Sequence, residues 1–175
     1  MTSVAQPVER DHRRRSDPRL VAVVLAVLLL GAFVRVMLVD TVRVSLDSMA
    51  PTLCAGDVLL VARWRPRSWQ VDDIVTFSSP ADGSPSVKRI VGVAGQRVAI
   101  EDGQLLVDGH AVPEPYVDHD TVDGWYYGPV TVPEGTVLAL GDHREVSVDS
   151  RSYGPVPISD LDGRRLTTLW SSCPR

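Results

Sequence analysis

The run "LVAVVLAVLLLGAFVRVMLV", Leu20 to Val39, constrains this chain more than any other stretch, because only Gly31 and Arg35 interrupt its large apolar and alanine side chains. At ~1.5 Å of rise per residue, a helix of this length spans about 30 Å, the hydrocarbon thickness of a bilayer. The run is therefore expected to form one transmembrane helix over 20–39. Arg35 lies near the far end, where its long side chain can reach the headgroups. Arg10, Arg13, Arg14, Arg15 and Arg19 crowd the near end, so the positive-inside rule keeps a tail of residues 1–19 in the cytoplasm and puts residues 40–175 outside. A cleaved secretory signal would share these regions but should end in a small-x-small site. "RVMLVDTVRV" offers bulky residues there instead, which favours a retained, single-pass anchor in the cell membrane.

Outside that cluster the chain is acidic, with a net charge of -4 overall, and nothing in this balance suggests a nucleic-acid partner. The lipid bilayer is the expected one. The 175 residues, 44% hydrophobic and 23% charged, suit one modest globular domain plus the anchor. The basic tail is expected to lack a fold of its own.

After residue 40 the pattern changes to short alternating or β-branched runs: "TVRVS", "DVLLVAR", "DIVTFSS", "SVKRIVGV", "QRVAI", "QLLVDG", "GTVLALGD" and "RLTTLW". Turn residues separate them. Asp102-Gly103 is the strongest hairpin signal, because that dipeptide tolerates the positive φ of a tight turn. A mainly β domain of curled antiparallel sheets follows, with about eight or more short strands. Residues 109–130 hold three prolines and read as an excursion from the sheet. Within it Asp118, His119 and Asp120 are adjacent ligands without a partner cluster, so no metal is assigned, and no cofactor. Cys54 and Cys173 are the only cysteines; a disulfide is permitted outside the membrane, but one pair does not establish it. Trp64 and Trp69 suit either an aromatic anchor in the headgroups or core packing.

Ser48, in "RVSLDSMAPTLCAGD", reads alone as a turn or helix cap. A nucleophilic role needs a base, and Lys88 is the only lysine in the chain, inside the apolar strand "SVKRIVGV". Unlike Arg, a desolvated Lys can give up its proton near neutral pH. A third segment, "GDHREVSVDSRSYGPVP", gathers Asp142, Arg144, Ser147, Asp149, Ser150 and Arg151 into one loop after a hydrophobic strand, where functional groups commonly sit.

Together "SMAPTL", "KRIVGVAG" and "GDHREVSVDSRSYGPV", with "LLVDGHAVPEPYV" between the last two, resemble the boxes of the bacterial type I signal peptidases, membrane-anchored serine proteases of the Ser-Lys type. The resemblance runs in order over residues 20–157. It implies that Ser48 is the nucleophile, Lys88 the general base and the Ser48 backbone N–H an oxyanion donor. It further implies that Ser147 orients the lysine amine, while Asp142, Asp149 and Arg151 hold the loop, with an Asp149 to Arg151 ion pair. The substrates implied are secretory preproteins with small residues at the first and third positions before the cut. Two departures stand out: His143 replaces the usual Asn, and Gln96 replaces a common Asp. A side-chain hydroxyl that serves some members as second oxyanion donor is replaced by Leu46. Competing readings are a self-cleaving, repressor-like Ser-Lys protease, disfavoured by an anchor in place of a DNA-binding module, and a non-catalytic, membrane-tethered β domain.

Overall fold

Alternating apolar residues past the helix produce two antiparallel sheets, because side chains on successive strand positions point to opposite faces. The computed structural model describes residues 17–64, 68–119 and 125–173, with residues 34–37 described by backbone alone. The expected tail of residues 1–19 lies mostly outside the described residues, as does Asp120.

Helix α1 runs Pro18–Leu38. Its start has a local cause: Pro18 occupies the first helical position, and the Asp17 carboxylate accepts the Arg19 N–H at 2.9 Å, capping an otherwise orphan donor. Among the described residues no helix is long and apolar enough to cross a membrane, so the expected span over 20–39 is not found there. The far boundary also moves, since Val39 opens strand β1 instead of ending the helix. Residues 1–35 and 36–175 form two separate units.

The second unit holds β1 (Val39–Arg43), β2 (Val58–Ala62), β3 (Ile74–Ser78), β4 (Pro85–Val93), β5 (Arg97–Glu101), β6 (Gln104–Val107), β7 (His110–Ala111), β8 (Tyr127–Thr131), β9 (Thr136–Leu140), β10 (Val156–Pro157) and β11 (Leu161–Trp170), with the short helix α2 (Ser150–Tyr153) before β10. One sheet has the order β1-β2-β11-β3-β4-β9-β10 and the other β7-β6-β5-β8. Every strand expected from the sequence is present. The Asp102-Gly103 turn pairs Glu101 with Gln104, both turn residues having positive φ, 52° and 75°, as a type I′ turn demands. Asp108-Gly109 repeats the device between β6 and β7.

The excursion over 109–130 is a partial correction. It contains β7 and most of β8, which pairs with β5. Gly128 and Pro129 masked that strand, because proline belongs on sheet edges and glycine is a poor strand former; β8 is indeed an edge. Asp118 and His119 lie exposed, and among the described residues no three His, Cys, Asp or Glu side chains gather as a metal site.

Strand β9 divides the core. Val137 and Ala139 pack with Val75, Phe77 and Ile90, while Leu138 and Leu140 pack with Val98, Ile100 and Leu105 of the smaller sheet. That is why "TVLAL" reads as continuous apolar and not alternating. Trp69 is buried in the first cluster, whereas Trp64 is exposed. A third cluster joins Val44, Met49, Leu53, Leu59, Val61 and Ile74. It sinks the residues on either side of the Ser48 turn into the sheet.

The segment after this turn is tied to the residues following β11 by a Cys54–Cys173 disulfide, with the Cα atoms 5.2 Å apart. Buried Asp57 reinforces the link, accepting the Ser172 N–H at 2.6 Å, its hydroxyl at 2.8 Å and the Cys54 N–H at 3.2 Å. Burial pushes the Asp57 carboxyl up, yet these hydrogen bonds outweigh it and hold the group below its ordinary value. A depressed carboxylate contributes stability above its unfolded pKa that is lost as pH falls through the folded one, so the clamp weakens in acid. The disulfide closes 119 residues of chain. Replacing both cysteines by Ser should therefore cost about 2–5 kcal/mol, or roughly 5–15 °C in Tm. Thermal unfolding of the two proteins without reductant measures this; equal Tm values would contradict a stabilising role.

Candidate active site

Ser48 sits in a turn, Asp47 to Ala50, closed by the Ala50 N–H donating to the Asp47 carbonyl at 3.0 Å. No described helix follows it, so the cap reading has nothing to cap. Met49 and Leu53 bridge across this segment and are both fully buried. Their burial anchors the turn and leaves Ser48 half-buried at its tip.

Lys88 comes from the middle of β4 and is 3% exposed. Its Nζ donates to Ser48 Oγ at 2.7 Å. Burial is the main influence on the amine and drives its pKa below the ordinary lysine value; Asp149 and Asp142 pull it back up, and Arg151 pushes it down. The net depression follows because removing an ammonium from water disfavours the charged form. An amine so placed can accept a proton from the hydroxyl it touches.

Neighbouring Arg89 turns to other partners. Its guanidinium forks onto Asp142, Nε to Oδ1 at 2.9 Å and Nη2 to Oδ2 at 2.7 Å. It also lies 3.8 Å over the Tyr116 ring and reaches Thr52 Oγ1 at 3.4 Å. One residue thus links the strand carrying Lys88, the signature loop and the segment after Ser48. Bidentate pairing of this kind fixes orientation as well as contributing energy.

Within the loop, the Asp149 carboxylate accepts Arg151 Nε at 2.8 Å and Nη2 at 2.9 Å, forming the expected ion pair. It also accepts the Gly141 N–H at 3.0 Å and caps α2 through the Arg151 N–H at 3.2 Å. Arg151 Nη2 donates to the carbonyls of Arg144 and Ser147. Arg144 forms a buried pair with Glu114, which lies in the excursion. Ser147 departs from expectation: its Oγ is buried and has no hydrogen-bond partner. The bond to the Lys88 amine is therefore not formed, and the hydroxyl packs over Gly141 instead.

Ser48 and Lys88, the two residues taken from separate boxes, are in contact, and Asp142, Asp149 and Arg151 are all in the surrounding network. Sequence reading missed Arg89, Glu114, Tyr116 and the paired role of Arg144. Arg89 carried a signal, a second cation beside Lys88 in an apolar strand. Glu114 carried almost none, since a carboxylate in "VPEPYV" reads as solvated.

A groove of about 500 Å3 opens beside Ser48 and Lys88, lined also by Val42, Val44, Ser86 and His143, with Leu46, Val146 and Val148 at it. The last three are exposed apolar side chains. On one side of the groove Pro85 to Lys88 pair with β3. Their other edge has no strand partner among the described residues, because β9 pairs only from Arg89 onward.

Gly141 fixes how closely the loop approaches the nucleophile. A Cβ there would stand 2.4 Å from the Ser48 carbonyl oxygen and 2.2 Å from Ser147 Oγ, so a side chain must displace one or both. Gly141→Ala is expected to lower kcat by about 10²-fold or more, since an ångström of misplacement at a reacting centre costs that much. A steady-state assay alongside circular dichroism checks it; unchanged kcat would mean the loop yields without moving Ser48.

The sequence and the fold are similar to those of known proteins. The family model described as signal peptidase, peptidase S26, matches residues 18–170. The probable signal peptidase I-2 of Synechocystis sp. is 31% identical over 173 residues, covering 94% of this chain and 76% of that protein. Signal peptidase I V of Bacillus subtilis is 34% identical over 130 residues, covering 66% of this chain and 77% of that one. A crystal structure of a signal peptidase I from Enterococcus faecalis superposes with a TM-score of 0.51 at 30% identity, covering 57% of this chain and 98% of that chain. Three boxes in order, a buried lysine on a serine hydroxyl, and a family match over nearly the whole chain lead to one conclusion: this chain belongs to the signal peptidase family, peptidase S26.

Proposed function

We propose that this chain is a membrane-associated serine endopeptidase that removes signal peptides from exported preproteins, with Ser48 as nucleophile and Lys88 as general base. The observation that carries the assignment of roles is the 2.7 Å contact between Lys88 Nζ and Ser48 Oγ at a buried amine. Neutral Lys88 takes the Ser48 proton as the oxygen attacks the scissile carbonyl. The tetrahedral oxyanion is met by the Ser48 backbone N–H. Collapse expels the amine of the mature protein, which takes a proton from the Lys88 ammonium, leaving the acyl group on Ser48. Lys88, neutral again, then takes a proton from water; the hydroxide attacks the ester, and Ser48 leaves with that proton.

The supporting residues act through position and charge. Asp142 and Asp149 occupy Arg89 and Arg151, so the loop is held without a carboxylate bonding directly to the lysine. Ser147, in the same loop, whose buried hydroxyl has no hydrogen-bond partner among the described residues, is the residue this reading assigns to orienting the amine.

An extended peptide can add to the free edge of Pro85 to Lys88 as a further strand, with alternate side chains turned into the groove. Two alternate positions would then be read, which accounts for small residues at the first and third places before the cut.

The N-terminal unit supplies the tether. Residues 1–19 are the cytoplasmic tail, 20–39 the single-pass anchor and 40–175 the extracytoplasmic catalytic domain, with the helix beginning slightly earlier and Val39 passing into β1. Large apolar side chains from Leu20 to Phe33 are exposed, a surface that suits lipid and not water. Nine residues separate Leu38 from Ser48, ten steps of chain with a reach of at most about 35 Å. That tether keeps the nucleophile near the membrane face where signal peptides emerge.

Ser48→Ala and Lys88→Ala should each lower cleavage of a preprotein bearing an Ala-x-Ala site by at least about 10³-fold. Cleavage surviving either change would refute the dyad. The pH profile supplies a second test. Activity should fall as pH drops through the depressed Lys88 pKa, placing the acid limb of kcat/KM below the ordinary lysine value of 10.5. The stability sign runs opposite to a salt-bridged lysine's: the unfolded chain binds the extra proton, so stability rises with pH from the folded pKa up to the unfolded one. Lys88→Met, which removes the buried amine, should be inactive yet melt at a higher temperature at pH 7.

A further inference from the structure

One peptide unit joins Asp47 to Ser48, and it carries both the Asp47 carbonyl and the Ser48 N–H. In a planar trans peptide these two groups point in opposite directions, so fixing one aims the other. The Asp47 oxygen accepts the Ala50 N–H at 3.0 Å and stands 3.2 Å from His143 Nδ1. A carbonyl oxygen can only accept, so Nδ1 carries the proton. Asp47 is otherwise held by its carboxylate, which accepts the Ala55 N–H at 2.8 Å. That anchors the side chain but leaves the peptide plane to be set by the carbonyl's own partners. Among the described residues the Ser48 N–H meets no acceptor.

We propose that His143 is a positioning residue of the oxyanion hole: its Nδ1–H holds the Asp47 carbonyl and thereby aims the Ser48 N–H at the developing oxyanion. The inference rests on the reading of Ser48 as nucleophile. It goes further by assigning a residue that acts through the Asp47–Ser48 peptide unit and not on the reacting atoms themselves. The bond also polarises the peptide unit, which makes its N–H a stronger donor. Leu46 offers no hydroxyl to share the task, so the hole depends more on the aim of this one backbone group. The side chain's part is separable from the backbone's, because the His143 N–H donates independently to the Ser48 carbonyl at 3.1 Å, a bond that most substitutions keep.

Steady-state cleavage of a synthetic signal peptide by the full chain in detergent tests this. His143→Leu is expected to lose about 10- to 100-fold in kcat, somewhat less than removal of an oxyanion donor outright, with KM within about threefold and Tm within a few degrees. His143→Asn carries an N–H the same two bonds from Cβ as Nδ1 and should recover kcat to within about threefold of wild type. His143→Asp has the shape of Asn without that donor and should stay as slow as His143→Leu. Equal kcat for the Asn and Asp variants would overturn the proposal even if His143→Leu did not fold. So would wild-type kcat in His143→Leu, or a loss confined to KM. Ser48→Ala serves as the control: if it cleaves, the nucleophile reading falls and this inference with it; if it is inert while His143→Leu is normal, only this inference falls.

Discussion

A lysine amine buried against a serine hydroxyl is the constraint around which the catalytic unit is organised. Of the buried cations, Arg89 and Arg144 each meet a carboxylate within ion-pair distance, on Asp142 and Glu114. Among the described residues Lys88 meets none and bonds to Ser48 instead. A direct carboxylate partner would keep the amine charged, whereas the proposed role as general base needs it neutral. The surrounding Arg–carboxylate pairs therefore do two jobs: they hold the loop together, and they occupy the acidic groups that would otherwise capture the lysine. Replacing one of these arginines with the protein's own lysine chemistry would not be conservative, because the fork geometry is what binds both carboxylate oxygens.

Holding that contact requires fixing two segments forty residues apart in sequence. The sheet fixes Lys88 through β4. Ser48 lies on a turn, a weaker platform, and is restrained from three sides. Met49 and Leu53 sink into the core beneath it, the disulfide and Asp57 tie the following residues to those after β11, and Gly141 with His143 closes over its carbonyl. Each restraint is modest by itself, and together they leave the hydroxyl little freedom except toward the amine and the groove.

Much of this was legible in the sequence, for reasons that differ by element. Alternating runs and Asp-Gly turns are local signals, and every strand they marked is present. Strand β8 was not marked, since Gly128 and Pro129 contradict strand propensity and only pairing with β5 at an edge makes the segment extended. Ser48 and Lys88 were legible through the resemblance of the ordered boxes, with the single lysine in an apolar strand as a supporting sign, and the structure brings the two into contact. Partners that depend on tertiary contact were not: Glu114 is buried only because Arg144 arrives from thirty residues away, and two cysteines do not say whether they meet. Ser147 was read from resemblance and lies in the right loop, but its hydroxyl turns onto Gly141.

The groove's open edge adds a final step. Pro85 to Lys88 are paired on one side by β3 and left free on the other, whereas the continuation of the same strand is covered by β9. An unpaired edge is ordinarily a liability, because it templates association with any extended chain. Here the exposed segment is only four residues long, begins with a proline that cannot donate to a ladder, and ends at the buried lysine. A peptide adding to it is thus limited in length and ends its pairing beside Ser48. On the proposed strand addition, the short edge would turn a general affinity for extended backbone into a fixed register, with one bond placed beside Ser48.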